Sequence, residues 1–204
     1  MKINMDELLD SMLKGISNMD YVRSEDIPNI ELYMDQVTSF MDEQLSSSKR
    51  YDDDKILTKT MINNYAKNNL LPPPVKKKYS KEHVIVMIFI YYFKTILSIK
   101  DIETILTPIT EKYFGTDSAV DVASIYEEVC NTAKGQIQNL KDEVREAYET
   151  SQNTFKDMEG LSDSDREYLQ LFSLISSLSF DVYAKKALIE RIIDELPEPV
   201  RKKK

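Results

Sequence analysis

Val84-Ile85-Val86-Met87-Ile88-Phe89-Ile90-Tyr91-Tyr92-Phe93 is a run of ten apolar or aromatic residues in a chain of 204. Ten is about half of the ~20 residues that a bilayer span needs, so the run belongs inside a protein core. A run apolar on every side is a fully buried helix or a buried strand. Ser80, Lys81 and Glu82 supply a helix start and the pattern continues through Lys94, so helix is the reading. Other elements must then enclose it.

Working outward, those elements read as helices too, because apolar residues recur at three and four. Downstream, Ser98-Ile99-Lys100-Asp101 is a capping box. It opens a helix with Ile99, Ile102, Ile105 and Leu106 inward, expected to stop at Pro108. Upstream, Leu57 to Asn69 is a short helix with Thr58 as N-cap. Leu70-Leu71-Pro72-Pro73-Pro74 ends it, since proline lacks an amide hydrogen and restricts the preceding residue. Lys76-Lys77-Lys78-Tyr79 follows as a brief extended segment.

Farther out, a helix is expected from near Pro28, presenting Leu32, Tyr33, Val37, Phe40, Met41 and Leu45 to a core, and then a polar linker over residues 46–54. Met5, Leu8, Leu9, Met12, Leu13 and Ile16 line one face of a first helix. Beyond the centre, residues 119–158 read as one long acidic helix with a bend at Gly135. Its seam is Tyr126, Val129, Ala133, Leu140, Val144 and Ala147 at roughly heptad spacing. Gly160 to Asp163 breaks it, and Ser164-Asp165-Arg166-Glu167 is a second capping box. Tyr168, Leu171, Phe172, Ile175, Leu178 and Val182 follow, and Ile189, Ile192, Ile193 and Leu196 close the last amphipathic turn. The tail Arg201 to Lys204 is expected to fray. Strand signal is almost absent and no internal repeat is seen. The expectation is an all-α protein in two parts, residues 1–110 and 111–204.

Charge is unevenly spread. The chain has 27 Lys+Arg against 35 Asp+Glu, for a net −8 and a pI near 4.9. Between Lys55 and Lys100, however, stand nine lysines and one acid, Glu82, leaving that window at +8 and the remainder at −16. Nucleic-acid binding depends on local charge, so the acidic average does not argue against it.

Other counts narrow the class. Four glycines, no tryptophan and 42% apolar residues fit a folded, helix-rich chain. Cys130 is alone, so no intrachain disulfide can form and a reducing compartment fits. One cysteine and one histidine cannot make the usual Cys/His zinc site. The first residues carry acids and no sustained apolar core, unlike a signal peptide, and a cytoplasmic protein with no membrane partner is expected. No glycine-rich phosphate loop, nucleophile elbow or metal motif is present. His83 reads as a polar tip and Cys130 as half-buried packing. Glu127-Glu128 and Asp142-Glu143 read as solvated helix faces. The expectation is a non-enzymatic protein without a cofactor.

One helix carries a functional pattern. At 100° per residue, Thr58, Ile62, Tyr65, Ala66 and Asn69 share an arc, while Thr60, Asn63, Asn64 and Lys67 lie opposite. The second face has amides and a lysine but no acid. Asn can pair bidentately with adenine, and Thr and Lys reach phosphates or bases. Such a helix suits a major groove, and an ordinary surface helix lacking acids fits the same wheel. Lys76, Lys77 and Lys78 can neutralise phosphates without reading sequence; a solvated charge run is the alternative.

These residues carry a resemblance. Leu57 to Pro73, then Tyr79-Ser80-Lys81-Glu82-His83, then Leu97-Ser98-Ile99-Lys100-Asp101-Ile102 together resemble the MerR-type winged helix-turn-helix. With Ile30-Glu31-Leu32-Tyr33-Met34-Asp35-Gln36-Val37-Thr38 added, residues 28–110 resemble a bacterial family of domains of unknown function, number 1836, of Gram-positive organisms. The resemblance implies a recognition helix bearing Thr58, Lys59, Thr60, Asn63, Asn64 and Lys67. It makes Lys76, Lys77 and Lys78 a wing, and Tyr65 a back-face residue close to the phosphates. The chain departs from the pattern in its short wing, which lacks glycine and arginine, and in the dozen-residue linker before the helix. Asp52-Asp53-Asp54 in that linker would repel DNA at an interface. The metal-binding cysteines of metal-sensing members are absent.

The expected function is therefore a transcriptional regulator that binds double-stranded DNA, with an effector the sequence does not name. A helical protein-interaction adaptor is the alternative. A homodimer formed mainly through residues 119–196 is expected, since helix-turn-helix proteins usually read two half-sites.

Overall fold

A computed structural model of the protein describes residues 5–17, 21–133 and 135–197. It is mostly helical. Helices α1 (Met5–Ser17), α2 (Met34–Gln44), α3 (Lys59–Lys67), α4 (Lys81–Phe93), α5 (Ile99–Tyr113), α6 (Val122–Ala133), α7 (Gln136–Gln152) and α8 (Asp163–Asp194) are joined by two short strands, β1 (Leu32–Tyr33) and β2 (Lys78–Tyr79). Among the described residues, no helix is long and apolar enough to cross a membrane.

The chain divides into two compact units, and neither is a single stretch. One comprises Met1–Asp20 with Ala133–Leu188, the other Tyr21–Thr132 with Ile189–Lys204. A single cut at residue 110 does not describe this division.

The apolar run is a helix buried on all sides. Every residue from His83 to Tyr91 of α4 is buried, and the second unit packs around it as one continuous core. Val37 and Met41 of α2, Ile62 and Tyr65 of α3, Ile102 and Leu106 of α5, and Val122 and Tyr126 of α6 all belong to that core. Covering both sides of one helix takes contributions from most of the unit, which is why the core includes Val22 and Ile27 from the irregular segment before β1 and Ile193 from the far end of α8.

The start of α4 is fixed by a histidine. The backbone N–H of Ser80 donates to Nδ1 of His83 at 3.0 Å, so His83 takes the role that Glu or Gln plays in a capping box. Its ring lies edge-on between Tyr79, at 5.5 Å, and Phe114, at 4.7 Å. With Nδ1 accepting, the proton sits on Nε2, and the carbonyls of Pro72 and Pro73 lie close to the ring. His83 thus joins four segments: the end of the proline turn, β2, α4 and the exit of α5. It is a core residue, not an exposed tip.

Several expectations need correction. The helix expected from Pro28 begins at Met34. Leu32 and Tyr33 instead pair antiparallel with Tyr79 and Lys78, and strand alternation leaves Tyr33 55% exposed while Leu32 is buried. Pro108 lies inside α5, which continues to Tyr113. Ile105, Ile109 and Tyr113 pack against the core, and that burial outweighs the one hydrogen bond the proline lacks. The long helix of residues 119–158 is two helices, α6 and α7. Asp121 opens α6, its carboxylate accepting from Ser124 N–H at 2.7 Å; that bond holds the acid below its usual range. The linker is folded too: Lys49 pairs with Asp42 at 2.8 Å, and Asp54 accepts from the Arg50 and Tyr51 amides at 3.0 Å.

In the other unit α1 packs on α7; Ile16 of α1, Val144 and Tyr148 of α7, and Leu174 of α8 are buried there. The cap of α8 is Ser162, two residues earlier than expected: Asp165 N–H donates to Ser162 Oγ at 3.1 Å and the Ser162 hydroxyl donates to Asp165 Oδ2 at 2.6 Å. The loop before it is tied by Arg166, which donates to the carbonyls of Phe155, Lys156 and Met158. Gln170 Nε2 donates to the carbonyls of Gln152 at 2.8 Å and Thr154 at 3.2 Å. Residues 201–204, read as a frayed tail, lie outside the described residues.

His83 makes stability depend on pH. Burial pushes its pKa below the ordinary 6.5, so as pH falls the unfolded chain takes up the proton first. Stability is full above 6.5 and is lost progressively as pH drops from there toward the lowered folded value. Urea midpoints should fall between pH 7.5 and 5.5. His83→Gln keeps the capping group and removes the imidazole, so its midpoint should fall less; equal slopes for the two chains would refute the assignment.

Candidate nucleic-acid interface

Helix α3 is short, so its ends decide whether it forms. At its start Thr58 Oγ1 accepts from Met61 N–H at 3.2 Å. At its end Leu70 N–H donates to Tyr65 O at 2.9 Å and Asn69 N–H to Ala66 O at 3.3 Å. These two bonds are a Schellman motif, with Asn69 at φ 60° in the left-handed position. The helix therefore stops at Lys67, before the prolines are reached.

Burial of Ile62 and Tyr65 fixes the rotation of α3. Lys59, Thr60, Asn63, Asn64 and Lys67 are left exposed, forming an amide-rich face without an acid of its own. Thr58 is half-buried and its hydroxyl is engaged in the cap. Tyr65 lies in the core, and burial raises its pKa; its ring is not part of the exposed face.

The lysine triplet is not an extended arm. Lys76 and Lys77 have φ of 51° and 64°, and Lys78 N–H donates to Val75 O at 2.9 Å. Positive φ at both central residues with this bond is the pattern of a type I′ turn, so Val75 to Lys78 is a tight hairpin. Asn-Gly is the sequence such a turn prefers. Two lysines there cost about 1–2 kcal/mol each, because Cβ crowds the following carbonyl in the left-handed region. The strain sets both ammonium groups at an exposed tip.

Two of the candidate cations already have anionic neighbours. Lys59 pairs with Asp35 on α2. Lys78 lies 3.3 Å from Glu31 and 5.7 Å from the centre of the Tyr33 ring. Lys67, Lys76 and Lys77 have no ion pair among the described residues. Asp35, Glu31 and Tyr33 are the site residues that sequence reasoning missed, because each acts across the strand pairing or across a helix packing and leaves no local signal. Among the described residues, no group of three His, Cys, Asp or Glu side chains can hold a metal ion.

A type I′ turn made from a better turn sequence should be more stable. Lys76→Asn with Lys77→Gly is expected to raise the unfolding free energy by about 1–2 kcal/mol, read from urea denaturation. No gain would mean that the left-handed geometry is not strained.

The profile of one protein family matches residues 22–129, and its description is Domain of unknown function (DUF1836). No curated protein and no solved structure matches the chain.

Proposed function

The chain belongs to the DUF1836 family, and as that description names no activity, we propose from the geometry that it is a DNA-binding transcriptional regulator. In this reading α2 and α3 with the Val75–Lys78 hairpin act as a MerR-like winged helix-turn-helix on double-stranded DNA. Asn63 and Asn64 face base edges, with Thr60 and Lys67 beside them. Lys76 and Lys77 contact phosphate.

The observation that carries the reading is the strained lysine turn. A hairpin that gives up stability to hold two adjacent cations at its tip has a use for them, and phosphate is the ligand that two non-reading cations fit. The acid-free face of α3, just upstream of the hairpin, supplies groups that read bases. The ion pairs of Lys59 and Lys78 fit as well, since Asp35 and Glu31 lower the charge offered to DNA of any sequence.

Duplex binding measured against salt tests this. Lys76→Ala with Lys77→Ala should weaken binding to every sequence and make the slope of log K against log salt shallower by about 0.9 for each phosphate no longer neutralised. Asn63→Ala or Asn64→Ala should cost roughly 1–3 kcal/mol on a site selected from a random pool and little on bulk duplex. Glu31→Gln should act oppositely, tightening binding and steepening the slope. A chain that binds no duplex at low salt refutes the reading.

One observation favours the adaptor alternative. Ile30, Tyr33 and Val75 are 66%, 55% and 63% exposed, and apolar groups there suit a protein partner better than phosphate. An acidic protein partner bound with no duplex affinity would be the outcome in its favour.

A further inference from the structure

Of the apolar seam read in residues 119–158, Tyr126, Ala133 and Val144 are buried, Leu140 and Ala147 are half-buried and Val129 is exposed. Helix α8 is different. Gln170 and Leu174 turn inward, but Tyr168, Phe172, Ile175, Phe180, Val182 and Tyr183 are between 54% and 69% exposed. Positions 168, 172, 175, 179 and 182 follow one another at spacings of four and three, the repeat that lets two helices interlock. No charge interrupts this row; Ser179 is its only polar member apart from the Tyr168 hydroxyl.

Tyr183 adjoins this row on the helical wheel, whereas Phe180 lies about 120° away from it. At about 200 Å² per aromatic side chain and somewhat less for Ile and Val, the row and Tyr183 leave roughly 500 Å² of apolar surface uncovered. That is toward the upper end of what a monomer shows in one patch. It is also more than half of the ~800 Å² per partner of a standard stable interface. An uncharged row at a helix-pairing repeat needs a partner with the same repeat, and a second copy supplies it through a two-fold contact.

We propose that α8 self-associates through the Tyr168–Phe172–Ile175–Val182 face and that a second copy of this chain is its occupant. The proposal does not rest on DNA binding.

Sedimentation equilibrium of the full chain from 1 to 100 µM tests it. A species of twice 23.7 kDa is expected, little weakened between 0.1 and 0.5 M salt because the contact is apolar. Phe172→Asp with Val182→Asp should give a monomer with unchanged helical circular dichroism. Should that variant unfold, Ser179→Leu provides the second arm, extending the apolar row and tightening the dimer at least tenfold. A parent chain monomeric at 100 µM, as when the rest of its own chain covers this face, overturns the proposal. A folded double-aspartate variant that remains dimeric overturns it too, as does Ser179→Leu without effect.

Discussion

The structure of the matched family region depends on one requirement: α4 must be kept from water on every side. A helix with a single apolar stripe needs one neighbour, but α4 is buried continuously from His83 to Tyr91. Its neighbours therefore come from α2, α3, α5, α6 and the end of α8. That demand explains why short elements with little stability of their own hold their places. Helix α3 has only nine residues, too few to be stable alone in water. Ile62 and Tyr65 anchor it to the same core as α4.

Anchoring also determines what remains outside. Once Ile62 and Tyr65 face inward, helical geometry sends Thr60, Asn63, Asn64 and Lys67 outward. The hairpin obeys a similar constraint. Tyr79 is buried beside His83, and the pairing of Lys78 with Tyr33 closes the strand. The chain must then reverse between Val75 and Lys78, so Lys76 and Lys77 take the left-handed turn. The exposed lysines follow from the burial of their neighbours.

Much of this was legible in the sequence. The apolar run, the Thr58 cap, the Ser98 capping box and the outward face of α3 are local patterns, and local patterns survive into the fold. The hairpin was not legible, because Lys-Lys carries no turn signal where Asn-Gly would have been plain. Nor was β1, whose two residues are strand only because Lys78 and Tyr79 lie against them. Pro108 misled for the converse reason: a strong local breaker is overridden where the next turns of α5 are buried. At the candidate site the cations could be counted from the sequence. Which of them Asp35 and Glu31 neutralise could not, since those ion pairs join residues far apart in the chain.

His83 is the only histidine in the chain, and there is no tryptophan. A proton spectrum of the protein therefore carries a single imidazole Cε1–H signal, free of overlap with any other histidine. That signal originates where the proline turn, β2, α4 and the end of α5 meet, in the ring field of Tyr79 and Phe114. Its chemical shift reports the packing of this junction without isotopic labelling, and any event that loosens one of the four segments moves it.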